Sequence, residues 1–397
     1  MTERAGFSSA RPAAKPSASR RRFLAGATAA AGGAVVAGFP MAAAAQTPVN
    51  FRFQGAWSPK DIFHEYALDY ARKVNDMSGG RIRIEVLAAG AVVKPRELLD
   101  AVEKGVLDGC HAVPGYWGGK DSAFSLFGSG PALGMDANLI LSWMEYGGGK
   151  ALYDELYARV LHLNVTGFLY GPMPTQPLGW FRKPLVTAAQ LKGLRVHARG
   201  MPAQLFRRMG AVVQDLPDDE IVPAARGGRL DAVAFNNAAS DRQLGLPEVF
   251  PVCMLRSHHQ PAQVFEVLFN KKRLDSLPAD LRAIVRHAAQ AASADLSWKA
   301  AHRYSTDYSE LRNKPGTRFL KTPPEVLRGQ LKAWNALVAR GSLDNPFFER
   351  VFKSQQAWAR RTVGWALDTI VDPRIAYDHW FSGKAGSRKK LAADGRR

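Results

Sequence analysis

Val49, Phe51 and Phe53 alternate with polar residues, the period of a strand with one buried face. From Ile62 the apolar positions switch to every third or fourth residue, through Phe63, Tyr66, Tyr70, Val74 and Met77, which predicts a helix. Ser58-Pro59 reads as its cap and first position, and Gly79-Gly80 as its end. Ile82, Ile84 and Val86 alternate again, so the unit is β-α-β, with parallel strands and a right-handed crossover. A helix over 95–104 and a short strand over 106–113 complete it.

The same grammar returns downstream as strand 194–198, helix 202–209, strand 211–216, helix 219–226 and strand 230–235. Glu97, Ala101, Gly105, Leu107 and Asp108 match Glu220, Ala224, Gly228, Leu230 and Asp231 at a constant offset of 123. Two similar α/β lobes are the simplest account. The C-terminal third is helical, with starts at Pro278, Pro323 and Asn345-Pro346. The last helix carries Phe347, Phe348, Val351, Phe352, Trp358, Trp365 and Ile370 and is expected to stop at Asp372-Pro373. Aromatics at that spacing suit a core or a subunit contact.

Open parallel sheets bind ligands beyond the carboxyl ends of their strands, and in two lobes those ends face one cleft. This places His111 and the loop to Tyr116-Trp117 on one wall, with Phe235 and Asn236 on the other. His197 and Arg199, at the end of another strand of the second lobe, join them. Aromatic walls with polar tips suit a small organic ligand. Each of these side chains also has a plain structural reading, and His197 fits a satisfied structural histidine as well as a ligand contact. Asp218-Asp219-Glu220 resembles an acid/base cluster, but at a helix start acids serve the dipole and the free amides.

Composition narrows the class. With 46% hydrophobic and 22% charged residues, the 397-residue chain forms a core and is neither disordered nor polytopic in a membrane. The net charge of +19 invites a polyanionic partner, but its distribution argues otherwise. Residues 1–45 carry +5 and residues 384–397 another +5, which leaves +9 spread over the body. Nucleic acid is therefore not expected as a partner. The N-terminal segment resembles a twin-arginine signal peptide, with Arg20-Arg21, a weakly apolar Ala/Gly run and a small-residue site near Ala45. That run is too short to span a bilayer, so a periplasmic location after export is expected. Cys110 and Cys253 sit in apolar settings and read as buried free thiols. His258-His259 stands alone, so no zinc site is expected. No Gly-x-Ser-x-Gly, His-Glu-x-x-His or P-loop motif supports an enzyme.

Tyr116-Trp117-Gly118-Gly119-Lys120, Leu126-Phe127-Gly128-Ser129-Gly130-Pro131, Leu191-Lys192-Gly193-Leu194-Arg195, Phe269-Asn270-Lys271-Lys272 and the long run from Gly171 to Phe181 resemble solute-binding proteins of TRAP (tripartite ATP-independent periplasmic) transporters, nearest the α-keto-acid-binding branch. The resemblance covers about 50–382. It implies a two-lobed periplasmic-binding fold, two Rossmann-like lobes around a cleft with long C-terminal helices, that captures a small organic acid and delivers it to a membrane permease. The alternatives are a binding module for a sensory receptor and a secreted enzyme on the same scaffold. The expected division is signal 1–45, lobe one 46–165 and 256–312, lobe two 166–255, C-terminal helices 313–383 and a disordered basic tail 384–397.

The resemblance also assigns residues. The family's carboxylate-holding arginine falls at His197, flanked by Arg195 and Arg199, and a ligand-contacting glutamine falls at Gln176. A glutamate-aromatic pair falls at Ala234 and Phe235, and in that branch the glutamine and the glutamate together help hold a metal cation. The aromatic survives and the carboxylate does not, so no cofactor is expected, and either no tight metal site or one rebuilt with a different geometry. If His197 carries the ligand's charge partner, affinity should fall as pH rises from about 5.5 to 8. Dimerisation through the C-terminal helix, as the branch implies, and a monomer with that helix packed on its own lobes both stay open.

Overall fold

The computed structural model describes residues 47–381, so the expected signal segment 1–45 and basic tail 384–397 lie outside the described residues. Eleven strands are present among these: β1 (Val49–Gly55), β2 (Ile82–Leu87), β3 (Gly109–Ala112), β4 (Val165–Met173), β5 (Gly179–Phe181), β6 (Arg195–His197), β7 (Val212–Gln214), β8 (Ala232–Val233), β9 (Val252–Leu255), β10 (Gln263–Asn270) and β11 (Arg318–Lys321). They form two sheets, ordered β2-β1-β3-β10-β4 and β7-β6-β8-β5-β9-β11.

The duplication read from spacing is visible in this topology. In each sheet three parallel strands run in the order second, first, third, and an antiparallel strand follows, β10 in one and β5 in the other. Helix α1 (Ile62–Met77) crosses from β1 to β2, and α2 (Leu98–Glu103) precedes β3. Helices α3 (Gly200–Arg208) and α4 (Asp218–Arg226) do the same for β7 and β8. Phe51, Phe53, Ile82 and Ile84 are buried on one face of the first sheet, as their alternation requires.

Several boundaries differ from the sequence reading. The cap of α1 is Asp61, whose Oδ1 accepts the Phe63 N–H at 2.8 Å, while Ser58 closes the turn before it through its carbonyl. The division at 165/166 falls too early, because β4 pairs antiparallel with β10 in the first sheet from Val165 to Met173. The chain crosses to the second sheet only afterwards, at β5. The stretch expected to hold helices alone after 313 contains β11, which pairs parallel with β9 and sets Phe319 against Trp180 at 5.5 Å between ring centroids.

Helix α5 (Ala238–Leu244) follows β8, and the 35-residue α6 (Ala279–Asn313) runs along both lobes. In lobe one, Asp295 of α6 pairs with Lys73 and Tyr304 meets Tyr66 at 3.1 Å, while in lobe two Asp307 pairs with Arg242 at 2.7 Å. Helices α7 (Pro324–Asp344), α8 (Pro346–Thr369) and α9 (Pro373–Phe381) end the described chain. Helix α8 stops at Thr369, short of the expected Asp372-Pro373, and Pro373 opens α9 instead. Phe347, Phe348 and Val351 are buried, whereas Trp365 and Ile370 are exposed. No helix of the described residues is long and apolar enough to cross a membrane.

Candidate functional site

Between the carboxyl ends of the parallel strands of the two sheets lies a cavity of about 120 Å³. Tyr116, Gln176, His197, Arg199, Phe235 and Asn236 all line it. Trp117 does not. It is buried in lobe one, where its Nε1 donates to the Glu266 carboxylate together with the Tyr153 and Tyr157 hydroxyls. The Pro114–Trp117 turn is a 3-10 helix, so neighbouring side chains do not share a face, and Tyr116 takes the cavity side alone.

Gln176 is set by a relay that reaches back to α7. The Gln330 amide donates to Ser257 Oγ at 2.8 Å, Ser257 meets His259 Nδ1 at 2.5 Å, and His259 Nε2 donates to Gln176 Oε1 at 3.2 Å. Because an amide oxygen only accepts, His259 carries its proton on Nε2 and takes the Ser257 hydroxyl proton on Nδ1. Burial holds the His259 pKa down at about 3, so the ring is neutral. The amide nitrogen of Gln176 is left for the cavity.

His197 is nearly as enclosed, at 1% exposure. Its Nδ1 accepts the Leu216 N–H at 3.4 Å, which places the ring proton on Nε2, and that nitrogen has no partner. Burial first, and the nearby Arg199 charge second, hold its pKa down at about 3. Without ligand, His197 therefore offers a neutral N–H. Arg199 does not stand free in its place. Its guanidinium meets Asp215 at 3.2 Å, Asp218 at 2.6 Å and the Leu216 carbonyl. Asp218 does begin α4, as expected of the acid cluster, but its carboxylate serves Arg199 and makes no capping bond. Arg195 is exposed and paired with Asp231 at 2.7 Å, outside the cavity.

Sequence reasoning missed Trp57, Asp61, Arg96 and His259, which share the cavity. Trp57 packs on Tyr116 with ring centroids 5.9 Å apart, and its Nε1 donates to His111 Nδ1 at 2.6 Å. His111 itself is buried behind this wall and does not line the cavity. Arg96 reaches from lobe one to Asp215 of lobe two at 2.6 Å, and Ser240 of α5 donates to Asp61 Oδ1 at 3.2 Å, so both contacts bridge the lobes. On the far wall, the Asn236 N–H and the Trp180 Nε1 both donate to the Asp241 carboxylate, fixing the loop after β8. Asp61 was hidden in the sequence as a helix start, and His259 as half of a pair dismissed for zinc.

Gln176 Oε1 is committed to His259, residue 234 is an alanine, and no cluster of three or more metal-ligating side chains exists among the described residues. Cys110 and Cys253 are buried and free, as read from the sequence.

The motif of bacterial extracellular solute-binding protein family 7 matches residues 53–341. The chain belongs to this family of TRAP solute-binding receptors. A monocarboxylate 2-oxoacid-binding periplasmic protein of Nostoc sp. (strain PCC 7120) is 27% identical over 321 residues, covering 80% of this chain and 86% of that protein. Among solved structures, a TRAP periplasmic solute-binding protein of Pseudoalteromonas atlantica with bound sodium and pyruvate superposes with a TM-score of 0.76 at 26% identity, over 84% of this chain and 100% of that one. A TRAP solute-binding protein of Bordetella bronchiseptica, crystallised as a dimer with calcium and picolinate in one active site, gives a TM-score of 0.76 at 24% identity, over 88% and 99%. The two-lobed fold with long C-terminal helices is the fold of this family.

Proposed function

We propose that this receptor captures a small organic acid in the interlobe cavity and delivers it to the membrane subunits of a TRAP transporter, after export to the periplasm by the twin-arginine route. The observation that carries the reading is the buried, unpartnered donor of His197 at the end of β6, with the Gln176 amide beside it in the same cavity. His197 Nε2–H has no partner, and the amide nitrogen of Gln176 is left over from its relay. Buried donors without partners are costly unless a ligand supplies acceptors, and carboxylate oxygens do so. The related Nostoc protein, named for 2-oxoacids, and the pyruvate-bound structure support the class. We propose that binding proceeds without a metal, because alanine stands at residue 234, where the branch's metal-holding glutamate falls, and Gln176 Oε1 is taken by His259.

Calorimetry of the purified protein against short mono- and dicarboxylates, 2-oxo acids and aromatic acids tests this. Saturable binding of at least one such acid is expected, insensitive to EDTA. Turnover of an acid or ester without saturable binding would point to an enzyme on this scaffold instead.

The C-terminal helices support a second copy as partner. Trp365, Leu367, Ile370, Val371, Ile375 and Trp380 are all exposed, and large apolar side chains left in water are candidates for a subunit contact. We propose that α8 and α9 pair with those of another chain. Light scattering should give twice the chain mass, and Trp365→Glu with Ile375→Glu should halve it.

A further inference from the structure

The charges around the cavity are unevenly answered. Four charged side chains line it, Arg96, Arg199, Asp61 and Asp218. Both guanidiniums already have carboxylate partners, since Arg96 holds Asp215 at 2.6 Å and Arg199 holds Asp215 and Asp218. Asp61 has no such answer. Its Oδ1 takes the Phe63 N–H at 2.8 Å and the Ser240 hydroxyl at 3.2 Å, and no Lys or Arg among the described residues forms an ion pair with it. Burial pushes its pKa up to about 6, and Asp218 and Glu65 add to that rise. Capping of α1 does not explain the charge, because it uses one oxygen only and serine or asparagine caps as well.

A simple monoanion entering this space would bring a second unanswered negative charge beside Asp61, in a site where like charges repel strongly. A 2-amino acid is different. Its carboxylate meets the donors of His197 and Gln176, and its ammonium answers Asp61. Trp57, Tyr116 and Phe235 supply aromatic surface for the rest of such a molecule, and aromatic faces also attract ammonium groups.

We propose that the molecule held in this cleft carries an ammonium group beside its carboxylate, and that Asp61 recognises the ammonium. This rests on the carboxylate reading above and narrows it from organic acids in general to amino acids. Asp61 is then the residue that separates 2-amino from 2-oxo acids.

The test is isothermal titration with matched probes: alanine, 2-aminobutyrate and phenylalanine, each beside its 2-oxo counterpart and its counterpart with hydrogen in place of the amine, with 1-propylamine as an amine lacking the carboxylate. In the best-binding series the amino acid should bind at least tenfold tighter than either counterpart. Asp61→Asn, which preserves the helix cap, should remove most of that preference while circular dichroism stays unchanged. The proposal is overturned if the 2-oxo or unsubstituted acid binds as tightly, or if Asp61→Asn weakens all probes equally; the carboxylate reading then still stands. If 1-propylamine binds as tightly as 2-aminobutyrate, the carboxylate reading fails while the role of Asp61 holds. Absence of binding by every probe counts against both.

Discussion

His259 donates from Nε2 to Oε1 of Gln176 at 3.2 Å, and this bond fixes which end of the Gln176 amide faces the cavity. The His259 tautomer in turn depends on the Ser257 hydroxyl, which also accepts from Gln330 of α7. A helix well outside the binding lobes in sequence thus sets the polarity of a cavity side chain.

Ser257→Ala should break this relay. It leaves His259 Nδ1 and the Gln330 amide buried without partners, at a cost of about 1–3 kcal/mol in stability. In a chain of this size each kcal/mol lowers Tm by roughly 1–2 °C. With the His259 ring no longer held in one tautomer, affinity for the ligand should fall about tenfold. Thermal melts and titrations of the variant beside the wild type check both effects. A lowered Tm with unchanged affinity would show that the relay supports the fold and not the site.

The buried Glu266 makes a pH prediction. Burial pushes its pKa up to about 7 from an ordinary 4.5, against the opposing pull of the Tyr153, Trp117 and Tyr157 hydrogen bonds. The folded chain then holds a proton that the unfolded chain releases, so its contribution to stability falls as pH rises from about 4.5 to about 7 and is level outside that window. A shift of this size corresponds to something on the order of 3 kcal/mol. Asp241, pushed up to about 7 by burial, acts in the same sense, and the neutral His111, His197 and His259 act oppositely below about pH 6.5. The clean measurement is therefore a difference. The Tm of the wild type minus that of Glu266→Gln should decrease between pH 5 and pH 8, and a flat or rising difference would refute the assignment.

The interlobe pair of Arg96 and Asp215 should contribute little at rest. The two side chains are 62% and 37% exposed, and pairs of that kind are worth about 0–1 kcal/mol and are screened by salt. Arg96→Gln should therefore weaken ligand binding by no more than about fivefold at low ionic strength. The ratio of wild-type to variant affinity should approach one in about 1 M salt. A larger loss that survives high salt would mean that Arg96 touches the ligand itself.

The fold was legible where local periodicity governs it. The strands and helices flanking Val49–Val86 and Leu194–Phe235 follow their apolar spacing, and the repeat at Glu97 and Glu220 marks the same helix-to-strand junction in both lobes. Residues at strand ends, His197, Phe235 and Asn236, fell at the cavity because a parallel sheet sends its carboxyl ends there. What spacing does not encode is the meeting of distant segments. Asp61 and Ser240, Arg96 and Asp215, and Gln176 and His259 come together only through packing between lobes or between loops. Trp117 was misplaced for a local reason, since a 3-10 turn turns it away from its neighbour Tyr116 and into the Glu266 cluster. The β4 boundary was misjudged because a long antiparallel edge strand carries no signal of which sheet it joins.

In the ligand-free chain His197 is neutral. An imidazolium there would make affinity fall with rising pH, yet burial and the Arg199 charge keep the ring neutral, with the proton on Nε2. Its folded-state pKa of about 3 lies below the whole interval from pH 5.5 to 8, so no proton is lost from it there. Other groups around the cavity, Asp61 among them, still titrate in that interval, and the ratio between variants isolates the histidine. The ratio of wild-type affinity to that of His197→Leu should therefore stay constant across the interval, at about tenfold or more for one buried hydrogen bond to a charged acceptor. His197→Asn, which retains an N–H donor, should lose less. His197→Arg would set a second guanidinium beside Arg199 in a buried position and should lower Tm, because Asp215 and Asp218 are already engaged by Arg199. A wild-type to leucine ratio that declines steadily with pH would show instead that the ring is protonated when ligand is bound.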